Sequence, residues 1–235
     1  MGIDIRAERD HLETLVTTGN DFDRKIIREI PGAYGRYADF KDKRVLDIGA
    51  QIGSLSVYAA WKGANLVIAV EPLPRNIEIL NKNCAPYPQI TIIPSACVQD
   101  MSIPRIITSG AEISNHEGSN FGLNILRKTS EARNSSRSSR HECSLVSFDV
   151  LLRTYRPQII KMDCEGTEHE LLTGYVAFPE VEALLLEIHF NDWRYAKGWP
   201  AILKALLDQG FRIVRGREST IDGTGHHGVL ILLRN

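Results

Sequence analysis

The chain has 235 residues, of which 43% are hydrophobic and 24% are charged, and its formal net charge is −1. This length favours one α/β domain with additions, and we predict a single domain over residues 1–235. The near-neutral charge argues against a global field that attracts nucleic acid or an anionic membrane, although a local basic patch stays open.

Cysteine usage and the start of the chain indicate a reduced, cytoplasmic setting. The four cysteines form no C-x-x-C pair and no Cys/His cluster with zinc-ligand spacing. Residues 1–13 are charged and lack the apolar core of a signal peptide. No run approaches the ~18 apolar residues of a membrane span. We therefore expect a cytoplasmic protein that binds neither membrane nor nucleic acid.

Apolar β-branched runs alternate with helical patterns along the chain. A helical lead-in is predicted within residues 1–40, over about 21–37. The predicted strands are 44–48, 65–70, 90–94, 158–162, 181–188, 211–215 and 228–233. The predicted helices are 54–62, 75–83, 147–155, one that begins near Thr167, and 200–208. This alternation predicts a mostly parallel sheet of βαβ units, and the last two strands should form an antiparallel hairpin.

Residues 100–144 interrupt the alternation, because they are long, polar and weakly periodic. Long loops inside a compact domain are usually functional or mobile. A solvated insertion is one interpretation. The other is a lid or an element that binds the acceptor, meaning the substrate that receives a transferred group. Its basic side chains would bind an anionic acceptor such as a phosphate or carboxylate. Those side chains are Arg127, Lys128, Arg133, Arg137 and Arg140.

The most informative stretch is VLDIGAQIG at 45–53, which closes the first predicted strand and opens the first helix. Gly49 and Gly53 allow a tight turn and the close approach of a ligand, and the helix N-terminus offers free N–H groups. A dinucleotide-binding turn has the same general form. Asp47 disfavours a pyrophosphate, because like charges repel at short range. It favours a ligand with a positive group, such as S-adenosylmethionine; an ordinary strand-end acid is the alternative.

Other acidic residues follow predicted strand ends. Glu71 ends the second strand, where a carboxylate can accept hydrogen bonds from ribose hydroxyls, although NAD-binding folds also use an acid there. Asp163 and Glu165 follow the fourth strand, at the edge where open α/β sheets bind ligands. Glu168 and Glu170 lie in the first turn of the next helix, where negative charge suits the helix dipole.

His189 ends the fifth predicted strand, at the same ligand-binding edge. A neutral imidazole there could take a proton from an acceptor hydroxyl; a histidine satisfied by hydrogen bonds is the alternative. His169 is expected to face solvent. The aromatic residues beyond His189 could wall an acceptor pocket or pack under a loop. They are Phe190, Trp193, Tyr195 and Trp199.

Three stretches together resemble the FkbM family of S-adenosylmethionine-dependent methyltransferases, over roughly residues 20–235. VLDIGAQIG is similar to the family's D-x-G-A-N-x-G turn, with Gln51 where Asn is usual. SFDVLL at 147–152 and IIKMDCEGTE at 159–168 resemble its L-D-x-L-L and I-K-x-D-x-E-G-x-E pair, with Phe148 where Leu is common. LLLEIH at 184–189 resembles its fifth strand.

The resemblance implies a Rossmann-like class I methyltransferase fold, with a mostly parallel seven-stranded sheet, an antiparallel last strand and helices on both faces. It implies O-methylation of a small molecule, sugar or natural-product intermediate, with S-adenosylhomocysteine as the product. The residues expected to hold the cofactor are Asp47, Gly49, Ala50, Gln51, Gly53, Glu71, Pro72, Ser95, Ala96 and Asp163.

For the chemistry we expect Asp163 to position the cofactor or the acceptor, and His189 or Glu165 to act as the general base. Nothing in the sequence requires a metal, although a carboxylate-bound magnesium that assists a diol stays open. One alternative is an NAD(P)-dependent Rossmann oxidoreductase, which would want G-x-G-x-x-G where this chain has Gln51. The other is a non-catalytic S-adenosylmethionine-binding module, which would not need Asp163 and Glu165.

Overall fold

The computed structural model describes residues 5–19, 21–102, 105–109, 124–128, 139–173, 177–190, 193–217 and 227–234. Its strands are β1 (Arg44–Ile48), β2 (Leu66–Val70), β3 (Ile90–Ile93), β4 (Ser95–Val98), β5 (Arg105–Ser109), β6 (Asn124–Lys128), β7 (Ser139–Glu142), β8 (Ser144–Ser147), β9 (Ile159–Met162), β10 (Ala183–His189), β11 (Arg212–Arg215) and β12 (His227–Leu233). Its helices are α1 (Ile5–Leu12), α2 (Asp21–Ile30), the π-helix (Pro31–Gly35), α3 (Ser54–Trp61), α4 (Pro74–Cys84), α5 (Phe148–Tyr155), α6 (Glu168–Thr173) and α7 (Trp193–Asp208).

A seven-stranded sheet in the order β11-β12-β10-β9-β1-β2-β3 forms the centre of the fold. β1 pairs in parallel with β2 and β9, and β9 pairs in parallel with β10. β12 runs antiparallel to both β10 and β11. The central strands are rich in Val, Ile and Leu because helices cover both faces of the sheet, so that most of their side chains are buried. The predicted fold class is confirmed, and every predicted strand overlaps a strand of this sheet.

Alternation along the strands divides the core into two clusters. On one face, Leu46 and Ile48 pack with Phe148 and Trp199. On the other, Val45 packs with residues of the lead-in and of α3. Asp47 shares the face of Val45, because successive side chains of a strand point to opposite sides. The functional side chains of β1 therefore lie under the lead-in.

The lead-in is attached to the body of the domain by buried polar contacts. Glu8 in α1, a helix that was not predicted, accepts a hydrogen bond of 2.8 Å from the Tyr58 hydroxyl and one of 2.9 Å from Lys62. Asn83 donates to Val16 O and Ile52 O at 3.0 and 2.8 Å. These contacts hold residues 5–40 against α3 and α4, so the π-helix has a fixed place above the sheet.

The segment at 100–144 contains strands where it was expected to be irregular. β5, β6 and β7 form a separate antiparallel sheet, and β4 pairs in parallel with β8. Sequences such as NILRK and SRHE lack the apolar alternation that identifies a strand, which is why these elements escaped prediction. Of the basic residues assigned to an acceptor lid, Arg133 and Arg137 lie outside the described residues. The lid stays a prediction.

No helix in the part of the chain that the structure describes is long and apolar enough to cross a bilayer.

Candidate functional site

Polar side chains gather where the parallel strands of the sheet end, as the sequence predicted. The turn at 49–53 follows β1, and Glu71 follows β2. Asp163 follows β9, while Glu187 and His189 lie in the last part of β10. Neighbouring strands are about 4.8 Å apart, so these groups form one row along the edge of the sheet.

The glycine turn is shaped by contacts within the chain. Gly49 has φ +76°, and a Cβ at this position would lie 1.9 Å from Asp163 O. Gly53 has φ +90°, and its Cβ would lie 2.7 Å from Leu80 Cδ1. The positive φ values agree with the predicted tight turn, and packing against Asp163, which follows β9, and against α4 is a second reason for both glycines. Gln51 has φ +53°, in the left-handed region that Asn adopts more readily than most residues.

Asp47 does not reach the ligand edge, which corrects our prediction of a direct contact with a positive group of the cofactor. Its side chain has no exposed surface. Ser56 Oγ donates to Asp47 Oδ2 at 2.7 Å, and Lys161 Nζ lies 3.4 Å from Oδ1. The cation that Asp47 meets is therefore a lysine of the same chain. Asp47 is a positioning residue beneath the turn.

Lys161 is the central cation of this region, and sequence reasoning missed it. Its ammonium donates to Gly49 O at 2.7 Å and lies 3.6 Å from Asp163 Oδ2. Burial alone would lower the pKa of Lys161, but the charges of Asp47 and Asp163 raise it above its usual value. The signal was a lysine inside the apolar run IIKM, since a lysine buried in a central strand needs charged partners.

Glu71 is buried at the end of β2 and already has protein partners. Its Oε2 accepts from Gln51 N at 2.9 Å, and its Oε1 accepts from Leu73 N at 3.0 Å and Asn76 Nδ2 at 3.1 Å. Burial raises the pKa of Glu71, and these hydrogen bonds oppose that effect. A carboxylate has about four lone-pair sites. One acceptor site, on Oε2, is therefore left for a ligand. The carboxylate can accept a hydrogen bond from one ribose hydroxyl, and it has no site for a second.

The remaining predicted cofactor residues flank this turn. Ala50 is buried, and its N–H donates to Val70 O at 3.0 Å. Pro72 is half-buried directly after Glu71. Ser95 and Ala96 are buried at the start of β4, just beyond the end of β3. Their positions suit the roles that the resemblance implies, and those roles stay predictions.

His189 lies between two carboxylates, and this corrects our view of it as a neutral base. Its Nδ1 is 3.3 Å from Glu168 Oε1, and its Nε2 is 3.6 Å from Glu165 Oε2. Burial alone would lower the pKa of His189, but the hydrogen bond and charge of Glu168, together with Glu165, raise it to about 10. At neutral pH the ring is an imidazolium, which has no lone pair with which to accept a proton.

Glu168 holds the turn between β9 and α6, a role that helix-dipole reasoning did not reveal. The side chain is fully buried. It accepts hydrogen bonds from Cys164 N at 2.6 Å and Gly166 N at 2.8 Å. Glu165 has φ +57° in the same turn, so Glu168 and Gly166 stabilise a strained backbone that presents Glu165.

The ligand atoms of Asp163, Glu168 and His189 lie within 4.8 Å of one another, and the proton on His189 supplies a positive charge there.

His169 was expected to face solvent, and that prediction is wrong. The ring is buried, and its Nε2 lies 2.9 Å from His189 O. Phe190 and Trp199 pack against it with ring centroids 5.5 and 5.8 Å away. These two aromatic residues therefore pack around His169. Trp193 and Tyr195 lie on α7, which begins before the predicted start at Pro200.

Two further residues at this edge were not predicted as functional. Glu187 is half-buried, and burial together with the charge of Asp163 raises its pKa to about 7. Tyr34 in the π-helix is buried, and its pKa is raised by burial and by Asp163. An acid inside the apolar run LLLEIH was the available signal for Glu187.

Comparison with known proteins gives the same fold. A family model described as the methyltransferase FkbM domain matches residues 47–213. A protein described as an RNA methyltransferase from Pyrococcus horikoshii has a TM-score of 0.50 at 13% identity, covering 100% of this chain and 98% of that one. An S-adenosylmethionine-dependent methyltransferase from Listeria monocytogenes has a TM-score of 0.48 at 13% identity, covering 88% of this chain and 98% of that one. At this identity, the first likeness shows a shared fold alone.

The charge state of His189 can be measured directly. We expect its ring protons, followed by NMR, to show no titration between about pH 6 and pH 8, whereas His11, whose pKa is lowered by burial, should titrate below its usual range. The raised pKa also predicts that His189 stabilises the fold fully below pH 6.5 and that this contribution is lost as the pH rises towards about 10. Titration of His189 near pH 6.5 would restore it as a candidate base.

Proposed function

The chain belongs to the methyltransferase FkbM domain family, and from this premise we propose that it binds S-adenosylmethionine and methylates a hydroxyl group of a small molecule or glycan. The observation that carries the proposal is the row of groups at the sheet edge, where the turn at 49–53 lies between Glu71 and Asp163. In this proposal the nucleoside end of the cofactor lies near Glu71, and its reacting end lies near Asp163.

The residues present fit this cofactor. Glu71 Oε2 keeps an acceptor site for one ribose hydroxyl. Ser54 Oγ, at the first position of α3, is buried and has no hydrogen-bond partner within the described residues. A donor left unpaired next to the turn suits the carboxylate of the cofactor's methionine end, since a buried polar group without a partner is costly.

When bound, the cofactor supplies a methyl group on a positively charged sulfur, and the electron pair of the S–C bond stays with sulfur when the methyl leaves. The chain has to align the acceptor oxygen and remove its proton. Glu165 is the remaining candidate base, because its carboxylate is partly exposed and its pKa is raised, by burial first. It takes the hydroxyl proton while the new O–CH₃ bond forms.

His189 and Asp163 act around this base. The imidazolium of His189, 3.6 Å from Glu165 Oε2, favours the ionised form of Glu165. Asp163 lies between the turn and Glu187, and Lys161 holds it from below at 3.6 Å. We assign Asp163 to positioning of the methionine end or the acceptor.

The same edge disfavours the oxidoreductase alternative. Four acidic side chains lie along the row, on Glu71, Asp163, Glu165 and Glu187. A dinucleotide would have to place its pyrophosphate beside these carboxylates, and like charges repel strongly at short range.

Cofactor choice is testable by calorimetry. The protein should bind S-adenosylhomocysteine and release no heat with NAD. Glu71→Gln should weaken S-adenosylhomocysteine by roughly 1.5–3 kcal/mol, because a charged acceptor of a ribose hydrogen bond is lost. Glu78→Gln, on the exposed side of α4, is the matched control and should bind like the wild type. Heat from NAD with none from S-adenosylhomocysteine would refute the proposed function.

The base is tested by turnover with labelled S-adenosylmethionine. Glu165→Gln should lower the rate by about 10²–10⁴-fold, the usual contribution of a general base, and should leave the affinity for S-adenosylhomocysteine unchanged. Near wild-type turnover in this variant would show that another group takes the proton.

A further inference from the structure

Glu187 lies beyond the part of the edge that the cofactor residues occupy. Leu186 is paired with Met162 at the end of the β9–β10 register, so the next residue, Glu187, lies beside Asp163. The order of strands is β2, β1, β9 and β10, which places Glu187 three strand spacings from Glu71. That distance is about 14 Å. Glu187 is therefore at the acceptor end of the row.

Tyr34 reaches the same place from the lead-in, outside the matched family domain at 47–213. It belongs to the same buried cluster as Leu185 of β10, on the face of the sheet that carries Lys161. Arg215 fixes the π-helix by donating to Ala33 O at 2.7 Å. Burial and then the charge of Asp163 raise the pKa of the Tyr34 hydroxyl, Lys161 opposes them, and Glu187 raises it further, so the hydroxyl lies among these charged groups.

Both groups lack a partner. Tyr34 is 5% exposed, and no described residue makes a hydrogen bond with its hydroxyl. The half-buried carboxylate of Glu187 likewise has no hydrogen bond or ion pair within the described residues. Neither the Tyr34 hydroxyl nor the Glu187 carboxylate is among the described polar atoms that are both fully buried and unpaired, so both can be reached by a ligand at the acceptor end of the row.

The balance of charges at this edge indicates the charge of a ligand that would bind there. Carboxylates outnumber cations among the described residues here. The carboxylates are Asp47, Asp163, Glu165, Glu168 and Glu187, and the cations are Lys161 and His189. Lys161 forms ion pairs with Asp47 and Asp163. His189 forms ion pairs with Glu165 and Glu168. S-adenosylmethionine carries one net positive charge, so the edge stays negative after the cofactor is bound.

We propose that the Tyr34 hydroxyl and the Glu187 carboxylate bind a protonated amino group of the methyl acceptor. The acceptor is thus a hydroxyl compound that also carries an amine, for which an amino sugar is the simplest example. The inference rests on the proposed methyltransferase function. An ammonium donates to both oxygens at once and supplies the missing positive charge. An anionic acceptor would meet Asp163 and Glu187 at short range, and repulsion would oppose its binding.

Two variants separate acceptor binding from the other roles. Tyr34→Phe and Glu187→Gln should each raise the KM for the acceptor by about tenfold or more, since a charge-assisted hydrogen bond is lost. Their kcat and their affinity for S-adenosylhomocysteine should stay at wild-type values. Tyr37→Phe, whose ring faces Arg215, and Glu182→Gln, at the other end of β10, are matched controls. A tenfold loss of S-adenosylhomocysteine affinity in either variant would assign the pair to the cofactor and overturn the inference.

The charge of the acceptor is tested with a metabolite extract of the source organism, separated by ion exchange into cationic, neutral and anionic fractions. Each fraction is incubated with the wild-type protein and methyl-labelled S-adenosylmethionine. Label should enter the cationic fraction. Label confined to the neutral or anionic fraction would overturn the inference and leave the methyltransferase function intact. An absence of label in all fractions, with S-adenosylhomocysteine still bound, would refute the proposed function and the inference with it.

Discussion

The buried pair of Asp47 and Lys161 is the interaction on which the rest of the site depends. Two charges taken out of water are costly unless their geometry is good and their remaining bonding capacity is used. Here Lys161 also donates to Gly49 O at 2.7 Å and lies 3.6 Å from Asp163, while Ser56 donates to Asp47. One ammonium thereby joins β1, β9 and the turn, and Ser56 ties them to α3. The turn is held in shape from below, by side chains that are buried in the protein.

Among the described residues of the site, both cations are paired with carboxylates of the same chain. This pairing determines the charge that the site presents to a ligand. Lys161 and His189 each lie between carboxylates, so their raised pKa values keep them charged without freeing them for a ligand. The carboxylates that remain at the open edge repel one another, and Asp163 contributes to the raised pKa of Glu187. An edge of this kind favours ligands with positive charge. The proposed sulfonium cofactor and the proposed amine-bearing acceptor both match this imbalance.

The sequence predicted the fold and the location of the site well, because both rest on local patterns. Apolar runs, the glycines at 49 and 53 and the acids at strand ends are visible one element at a time. Charge states were not predictable in this way. The imidazolium of His189 depends on Glu168 and Glu165, and the burial of Asp47 depends on Lys161, 114 residues away along the chain. The position of Tyr34 at the sheet edge depends on how the lead-in crosses the sheet. No pattern within residues 1–40 specifies that crossing.

The central claim is that Lys161 shapes the cofactor turn through Gly49 O. Removing one charge of the pair should cost about 3–5 kcal/mol of stability, whereas removing both should be nearly neutral. The decisive measurement is therefore the S-adenosylhomocysteine dissociation constant of the folded double variant Asp47→Leu/Lys161→Met. We predict a variant that unfolds at a denaturant concentration close to that of the wild type and binds at least about tenfold more weakly, because Gly49 O has lost its donor. A folded double variant with wild-type affinity would contradict the claim.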